Sequence, residues 1–391
     1  MNSASDLIMN WRSAMMAMVV IPLILCGLLL LFRQVEQRAA RPLGLFLIFG
    51  GLSMMPQIIG FAGAYQIWPW LTFCPLFFVD LWLGPLLIIH AHALMRDSPL
   101  HWRRWLLLPG LLQTTYYTGA FLLPGDGLLD TPAKWAFNNA VHEPIIVPIE
   151  SVTGILLFGL AIILIWRNRA QYLNFLEQTQ SAARDYDPVW LRNLILALCV
   201  GAGIYAVIEI LSITIGLSYP AAFPALVALT TVLTWIGLDA AWRLTSPFPK
   251  MPNAADTSMP THETVADGQR AADDLGPRIL HALIQEQWYL EPRLSVRDVA
   301  KRLGSNETYV SRAVNRSLGG SFNSVVNTAR IDHAKTLLAD PHRSILTIAM
   351  ESGFNSKATF NRVFRDLVGL SPTQFRQGTL NDKADIKSQI P

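Results

Sequence analysis

Between Phe46 and Met95 the chain carries no Lys or Arg and a single acid, Asp80. A helix that crosses a lipid bilayer needs about 20 mostly apolar residues, so a stretch of this kind favours membrane-spanning helices. The composition agrees, because 15% of all residues are charged, against roughly 25% in soluble domains. Length and hydropathy together predict seven spans, at residues 13–32, 43–65, 71–94, 106–123, 145–166, 191–217 and 221–242.

The connections between these segments differ in positive charge. Arginines occur in every second connection, whereas Lys134 stands among three acids in one of the others. Positively charged connections remain on the cytoplasmic side of a membrane. The pattern therefore predicts an N-terminus outside and a C-terminus inside a bacterial inner membrane, which agrees with an odd number of spans. The basic connections contain Arg33, Arg38, Arg41, Arg96, Arg103, Arg104, Arg167, Arg169 and Arg184.

Five polar residues from five different predicted spans share a similar depth. At a rise of about 1.5 Å per residue, each lies roughly 9–14 Å below the outer boundary. Polar groups inside a bilayer are costly and mark functional sites, so this depth predicts a layer that senses a cation, an amine or a proton. Separate local hydrogen bonds are the alternative, since Glu209 lies one turn from Tyr205 and Ser212. The candidate sensing residues are Gln57, Asp80, Tyr116, Glu150 and Glu209.

The apolar half has no residue pattern typical of a metal, cofactor or catalytic site. His90 and His92 are two residues apart and would face nearly opposite sides of a helix, so they cannot share one ion. Cys26, Cys74 and Cys199 stand in apolar runs without metal or redox spacing. Neither a Ser-His-Asp group nor an H-E-x-x-H helix is found, so we expect neither an enzyme nor a bound cofactor.

The chain changes character after residue 244. Residues 245–274 are rich in Pro, Ala, Asp and Thr and have no apolar period, which is typical of a disordered tether. This stretch would separate a transmembrane domain at residues 1–244 from a second domain at residues 275–378. Residues 379–391 would form a flexible tail.

The second domain is basic and repeats one helical design. From Arg293 to Arg376 there are 13 Lys and Arg against 6 Asp and Glu, which indicates a polyanionic partner. Two helix pairs, each interrupted by a glycine (Gly304 and Gly353), follow the helix-turn-helix plan. The second helix of each pair places polar and basic residues on one face, where they suit DNA bases and phosphates. The candidate DNA-binding residues are Thr308, Ser311, Arg312, Asn315, Lys357, Asn361, Arg362 and Arg365.

Residues 275–377 contain a series of motifs at characteristic spacing. They are Ala300, Tyr309 to Arg312, Phe322, Asn327, Arg330-Ile331, Ala334, Leu337-Leu338, Ile348-Ala349, Gly353-Phe354, Ser356, Phe360, Arg362, Phe364, Gly369, Pro372 and Phe375-Arg376. With these motifs the segment resembles the AraC/XylS-type DNA-binding domain. Departures occur at Val314, Thr359 and Phe375, where the family usually has Phe, Tyr and Tyr. The resemblance implies an all-helical fold whose two recognition helices enter successive major grooves.

The two halves together predict an all-α transcription regulator embedded in the membrane. Its N-terminal half resembles the multi-span sensor region of some such regulators, chiefly at residues 83–87 and 108–109. The expected partners are promoter DNA, the lipid bilayer, RNA polymerase, a second copy of the chain and an unknown small molecule or ion. Two alternatives stay open: spans that serve as a plain anchor, and a membrane enzyme or transporter with an attached DNA-binding domain.

Overall fold

The computed structural model describes residues 10–68, 71, 73–97, 103–122, 136–215, 223–244, 247–252 and 265–378. These residues form helices and turns with two isolated β-bridges, so the all-α prediction is confirmed. The chain divides into two compact units, Met1–Arg169 with Pro188–Asn253, and Ala170–Asp187 with Ala254–Pro391.

The first unit consists of apolar helices. The longest is Val147–Thr179, which continues a π-helical segment at Asn138–Ile146 and ends inside the second unit's residue range. The helices are α1 (Trp11–Leu31), α2 (Gln37–Leu52), α3 (Met55–Phe61), α4 (Ala64–Ile67), α5 (Asp80–Met95), α6 (Arg103–Leu106), α7 (Leu108–Leu122), α8 (Val147–Thr179), α9 (Val189–Ile215) and α10 (Phe223–Arg243).

Helix α1 packs against α2 and α10, and α2 packs against α5. The contact between α1 and α2 depends on two glycines, because a Cβ atom on either Gly27 or Gly44 would lie 2.6 Å from the other's carbonyl oxygen. Small residues of this kind let helix backbones approach closely in apolar surroundings.

Four helical segments of the described chain are long and apolar enough to cross a membrane, rather than the seven expected. They are Trp11–Leu31, Gln37–Phe61, Asn138–Thr179 and Phe223–Arg243. Helix α5 (Asp80–Met95) and the Val189–Gly201 part of α9 are shorter apolar stretches. The difference at α5 arises because the third expected span starts at residue 71, whereas the helix starts at Asp80. At about 1.5 Å per residue, a helix of 16 residues falls short of a hydrocarbon core of about 30 Å.

The stretch expected to be a tether contains hydrogen-bonded residues. Lys250 Nζ lies 2.6 Å from Glu36 Oε2 and donates to the carbonyl oxygens of Ala93 and Leu94 at 3.1 and 2.9 Å. Met251 N donates to Met95 O at 2.8 Å. Residues 247–252 therefore belong to the first unit. A helix begins at Val265, before the expected domain boundary at residue 275.

The second unit contains two helix pairs joined by a long helix. Its first hydrophobic core includes Val299 and Val310, and its second includes Phe360 and Phe364. Residues 170–187, which the sequence assigned to the apolar half, belong to this unit. Its helices are α11 (Val265–Gln285), α12 (Val296–Leu303), α13 (Glu307–Ser317), α14 (Phe322–Leu338), α15 (Ile345–Glu351), α16 (Lys357–Val368) and a last helix at 372–378.

Candidate nucleic-acid interface and polar cluster

The first helix pair begins with reciprocal capping and turns at a glycine. Ser295 Oγ accepts from Asp298 N at 3.2 Å, and Asp298 Oδ2 accepts from Ser295 N at 3.0 Å. Helix α12 ends at Gly304, whose φ of 62° lies in the left-handed region that favours glycine. Asn306 then caps α13 by accepting from Tyr309 N at 2.9 Å. These local interactions fix where the first recognition helix starts.

Helix α13 buries one face and exposes the other. Val310, Ala313 and Val314 are fully buried in the first core. Thr308 and Asn315 are exposed, and Ser311 and Arg312 are half-buried. The four candidate DNA-binding residues of this helix therefore lie away from the core, as expected. Val314, at the position where the AraC/XylS-type pattern usually has Phe, packs in this core.

The second helix pair repeats this design. Gly353 has a φ of 84°, and a Cβ atom there would lie 2.8 Å from the carbonyl oxygens of Tyr289 and Leu290. Ser356 caps α16 by accepting from Thr359 N at 3.1 Å, while Phe360 and Phe364 are buried. The candidate DNA-binding residues of α16 lie outside this core. Lys357 and Arg365 are exposed, and Asn361 and Arg362 are half-buried.

The half-buried guanidinium of Arg362 interacts electrostatically with two charged residues of the connection between α8 and α9, Arg184 and Asp185. Burial is the main cause that lowers the pKa of its guanidinium, and the charge of Arg184 lowers the pKa further. Asp185 acts in the opposite direction. Both residues belong to the second unit, so the connection between α8 and α9 influences the second recognition helix electrostatically.

Arg330 links the segment before the first helix pair to the second pair, a role that sequence reasoning missed. Its side chain on α14 is 1% exposed, and Nε donates to Tyr289 O at 2.7 Å while Nη2 donates to Glu291 O at 2.5 Å. The guanidinium also lies 5.6 Å from the ring centroid of Phe354, in the second pair. Burial lowers the pKa of Arg330 to about 10, so it stays charged at neutral pH. The available signal in the sequence was that Arg330 belongs to the motifs that resemble the AraC/XylS-type domain.

A second polar cluster lies in the first unit, between α5, α7 and α8. Tyr117 Oη donates to Glu150 Oε2 at 2.9 Å, and Gln113 also hydrogen bonds Glu150. Gln113 Oε1 accepts from Leu81 N at 3.0 Å, next to Asp80. Tyr116 Oη lies 3.0 Å from His142 Nδ1. The network thus connects the first turn of α5 with the first turn of α8.

Sequence reasoning identified part of this cluster. Asp80, Tyr116 and Glu150 come together, and Asp80 is close enough to Glu150 to interact with its charge. The side-chain amide of Gln57 lies beside its own turn, where its nitrogen, with the amide rotated by 180°, would donate to Met54 O and Ser53 O at 3.1 and 3.3 Å. The side chain of Glu209 lies outside the described residues. Tyr117, Gln113 and His142 were missed, because their burial against one another is a tertiary property.

Within the described parts of the chain, no group of three or more His, Cys, Asp and Glu residues is arranged to hold a metal ion. The imidazole of His90 is fully buried, and its Nδ1 lies 2.6 Å from Ala39 O. This contact makes His90 part of the packing between α2 and α5.

Comparisons with known proteins concern the second unit. Residues 299–378 match the helix-turn-helix domain family of the AraC type. A helix-turn-helix-type transcriptional regulator of Staphylococcus aureus (strain COL) is 36% identical over 83 residues, which is 21% of this chain and 11% of that protein. The melibiose operon regulatory protein of Escherichia coli (strain K12) is 34% identical over 84 residues, 22% of this chain and 28% of that protein.

One solved structure is also similar. The C-terminal domain of AraT, a response regulator from Geobacillus stearothermophilus, is 25% identical and covers 28% of this chain and 84% of that chain, with a TM-score of 0.23. The chain spans 11% and 28% of the length of the two curated relatives above.

Proposed function

From the AraC-type helix-turn-helix domain at the C-terminal end of this chain, we propose that the protein is a membrane-embedded transcription regulator that binds promoter DNA. The observation that carries the proposal is a pair of recognition helices, α13 and α16. Each is capped at its first turn, and its polar face lies away from the hydrophobic core. Arg312 and Arg362 would read base edges, and Lys357 and Arg365 would contact phosphates.

The rest of the DNA-binding surface follows from the helical period. Thr308, Ser311 and Asn315 share the face of Arg312, and Asn361 lies one turn after Lys357. The protein would act as a dimer at promoters, with RNA polymerase as a further partner. Relatives with this domain are named as transcriptional regulators, and one is named for the melibiose operon.

We assign the first unit to the cytoplasmic membrane of a bacterium, with its N-terminus outside. Four helical segments have the length and apolarity of a span. Helix α9, together with the shorter helices α5 and α7 and the apolar residues next to them in the sequence, would complete a bundle of seven. Exposed apolar side chains support a lipid environment, since large patches of this kind are rare on soluble monomers. Examples are Met18, Ile155, Trp235 and Trp242.

The polar cluster would be the sensing site. Asp80, Tyr116 and Glu150, together with Tyr117, Gln113 and His142, supply acceptors and aromatic rings that suit a cation, an amine or a proton. Gln57 and Glu209 remain candidate sensing residues. A plain anchor would have no use for hydrogen-bonded carboxylates in this position, which favours a sensor over that alternative. The membrane enzyme or transporter stays an alternative without a site of its own.

The proposal is tested by crosslinking the tagged full-length protein to DNA in cells and sequencing the bound fragments. Discrete peaks are expected for the wild type, and they should disappear in the Arg312→Ala/Arg362→Ala variant. Lys335→Ala is the matched control, because it removes a cation from α14, where Lys335 pairs with Asp332 at 2.9 Å. Absence of discrete peaks in the wild type, under every growth condition tested, would contradict the regulator.

The sensing role is tested with Asp80→Asn and Glu150→Gln variants at equal membrane levels. A coupling of about 1–3 kcal/mol between the signal and DNA binding corresponds to about a 5- to 150-fold change in affinity for DNA. A change in peak occupancy or in target transcription, in the direction of such an affinity change, supports a sensor. Peaks that are indifferent to both substitutions support the anchor instead.

A further inference from the structure

The connection between α8 and α9 is docked on the DNA-binding half of the second unit. Residues 180–187, called here the 180–187 turn, follow directly after Thr179, the last residue of α8. Ser181, Ala182 and Ala183 are 2%, 7% and 3% exposed. Connecting segments normally lie on the surface with their backbone solvated, so three consecutive buried residues indicate a specific docking contact.

The first half of the turn is held by hydrogen bonds to Leu294, just before the first helix pair, and to α14. Ser181 N donates to Leu294 O at 3.0 Å, and Asn323 Nδ2 donates to Ser181 O at 2.8 Å and to Gln180 O at 3.1 Å. Arg330 Nη2 donates to Ser181 Oγ at 3.2 Å. The turn therefore contacts the same buried arginine that links the segment before the first helix pair to the second pair.

The second half of the turn reaches the second recognition helix. Asp185 Oδ2 accepts from Asn355 Nδ2 at 2.9 Å, and Oδ1 accepts from Thr359 Oγ1 at 3.4 Å. Thr359 lies in the first turn of α16, one helical turn before Arg362. It is also a position where the chain departs from the AraC/XylS pattern. A carboxylate thus lies at the start of the helix that carries half of the DNA-binding residues.

This position suits a DNA phosphate as well as a carboxylate. The first backbone N–H groups of a helix and its dipole favour an anion at the N-terminus, and proteins use such sites for phosphate contacts. Asp185 also acts electrostatically on Arg362. A DNA backbone that approached this end of α16 would meet the negative charge of Asp185.

We propose that the 180–187 turn is an internal inhibitor of DNA binding, in which Asp185 occupies the place of a DNA phosphate at the start of the second recognition helix. The proposal rests on the proposed function and adds its regulation. Helix α8 carries Glu150 of the polar cluster near its start and ends at Thr179, just before the turn. A signal at Glu150 that shifted α8 along or around its axis would move the turn and release α16.

The test measures the affinity of the full-length protein, reconstituted in lipid nanodiscs, for a fluorescent duplex taken from a crosslinking peak. Asp185→Ala should bind about tenfold more tightly than the wild type, because charge-assisted hydrogen bonds to the carboxylate compete with a phosphate. Asp185→Asn should lie between the two, because it keeps an acceptor and loses the charge. Glu177→Ala is the matched control, since Glu177 is an exposed acid in the last turn of α8, just before the 180–187 turn, and the affinity of this variant should stay within twofold of the wild type.

The outcomes separate this proposal from the function on which it rests. Asp185→Ala affinity equal to or below that of the wild type overturns the inhibitor, whatever the other variants do. If Arg312→Ala still weakens binding in that experiment, the DNA-binding function stands without the inhibitor. If Arg312→Ala changes the affinity for the duplex neither in the wild type nor in the Asp185→Ala protein, the DNA-binding function itself fails. An equal gain from Glu177→Ala would reduce the effect to bulk charge and would also overturn the inhibitor.

Discussion

Half-buried Lys250 pairs with the buried carboxylate of Glu36, with Nζ 2.6 Å from Oε2, across more than two hundred residues of chain. The side chain of Glu36 is 7% exposed, and its second oxygen accepts from Phe248 N at 2.8 Å. Lys250 also caps the carbonyl oxygens at the end of α5. The ion pair thus connects the segment after α10 with the segment between α1 and α2.

We expect Lys250→Ala to destabilise the first unit by about 3 kcal/mol, because a buried carboxylate and two carbonyl oxygens lose their donor. Thermal unfolding of the full-length protein in nanodiscs measures the change. Arg38→Ala is the control, since Arg38 and Asp97 pair at 3.5 Å with side chains 80% and 77% exposed. A surface pair of this kind contributes about 0–1 kcal/mol. Equal effects of the two substitutions would contradict the importance of the buried pair.

A second prediction concerns the close approach of α1 and α2. Gly44→Ala places a Cβ atom 2.6 Å from Gly27 O, so the two helices must separate. We expect a loss of about 1–3 kcal/mol, as for other overpacked sites, and a lower membrane level of the protein. Gly50→Ala, also in α2, meets nothing within 4 Å among the described residues and should keep wild-type stability or exceed it. Thermal unfolding of both variants in nanodiscs measures the two stabilities, and a Gly44→Ala protein as stable as Gly50→Ala would contradict the prediction.

A third prediction concerns Arg330. Replacement by Met keeps the aliphatic volume and leaves the carbonyl oxygens of Tyr289 and Glu291 without their donor. We expect the second unit to lose about 3 kcal/mol of stability and to become sensitive to protease. Limited proteolysis of the full-length protein measures this loss. Arg343→Met, which removes exposed ion pairs with Asp340 and Glu351, should resist digestion like the wild type.

A fourth prediction separates phosphate contacts from base contacts. Lys357→Ala should weaken binding to all duplexes alike and lower the salt dependence of log K by about one unit. Arg312→Ala should cost about 1–3 kcal/mol on the target duplex and relax the preference at one base pair. Titrations at several salt concentrations, on target and scrambled duplexes, measure both effects. Sequence-dependent loss with Lys357→Ala would contradict its assignment to a phosphate.

The helix-turn-helix half was predictable because its signals are local. Capping residues such as Ser295 and Ser356, turn glycines such as Gly304, and apolar residues at helical spacing act within a few positions of one another. The outward faces of α13 and α16 follow from that spacing alone. The apolar helices of the first unit were predictable for the same reason, although the helix at α5 begins later than hydropathy indicates.

The sequence by itself determined the all-helical class, the recognition faces and the apolar character of the first unit, since each depends on the period of neighbouring residues. The tertiary structure alone decided what meets across long separations: Lys250 with Glu36, Tyr117 with Glu150, and Asp185 with Thr359. It also showed that residues 170–187 belong with the DNA-binding half. Side-chain pairing at such distances along the chain leaves no periodic signal, because packing between elements determines it.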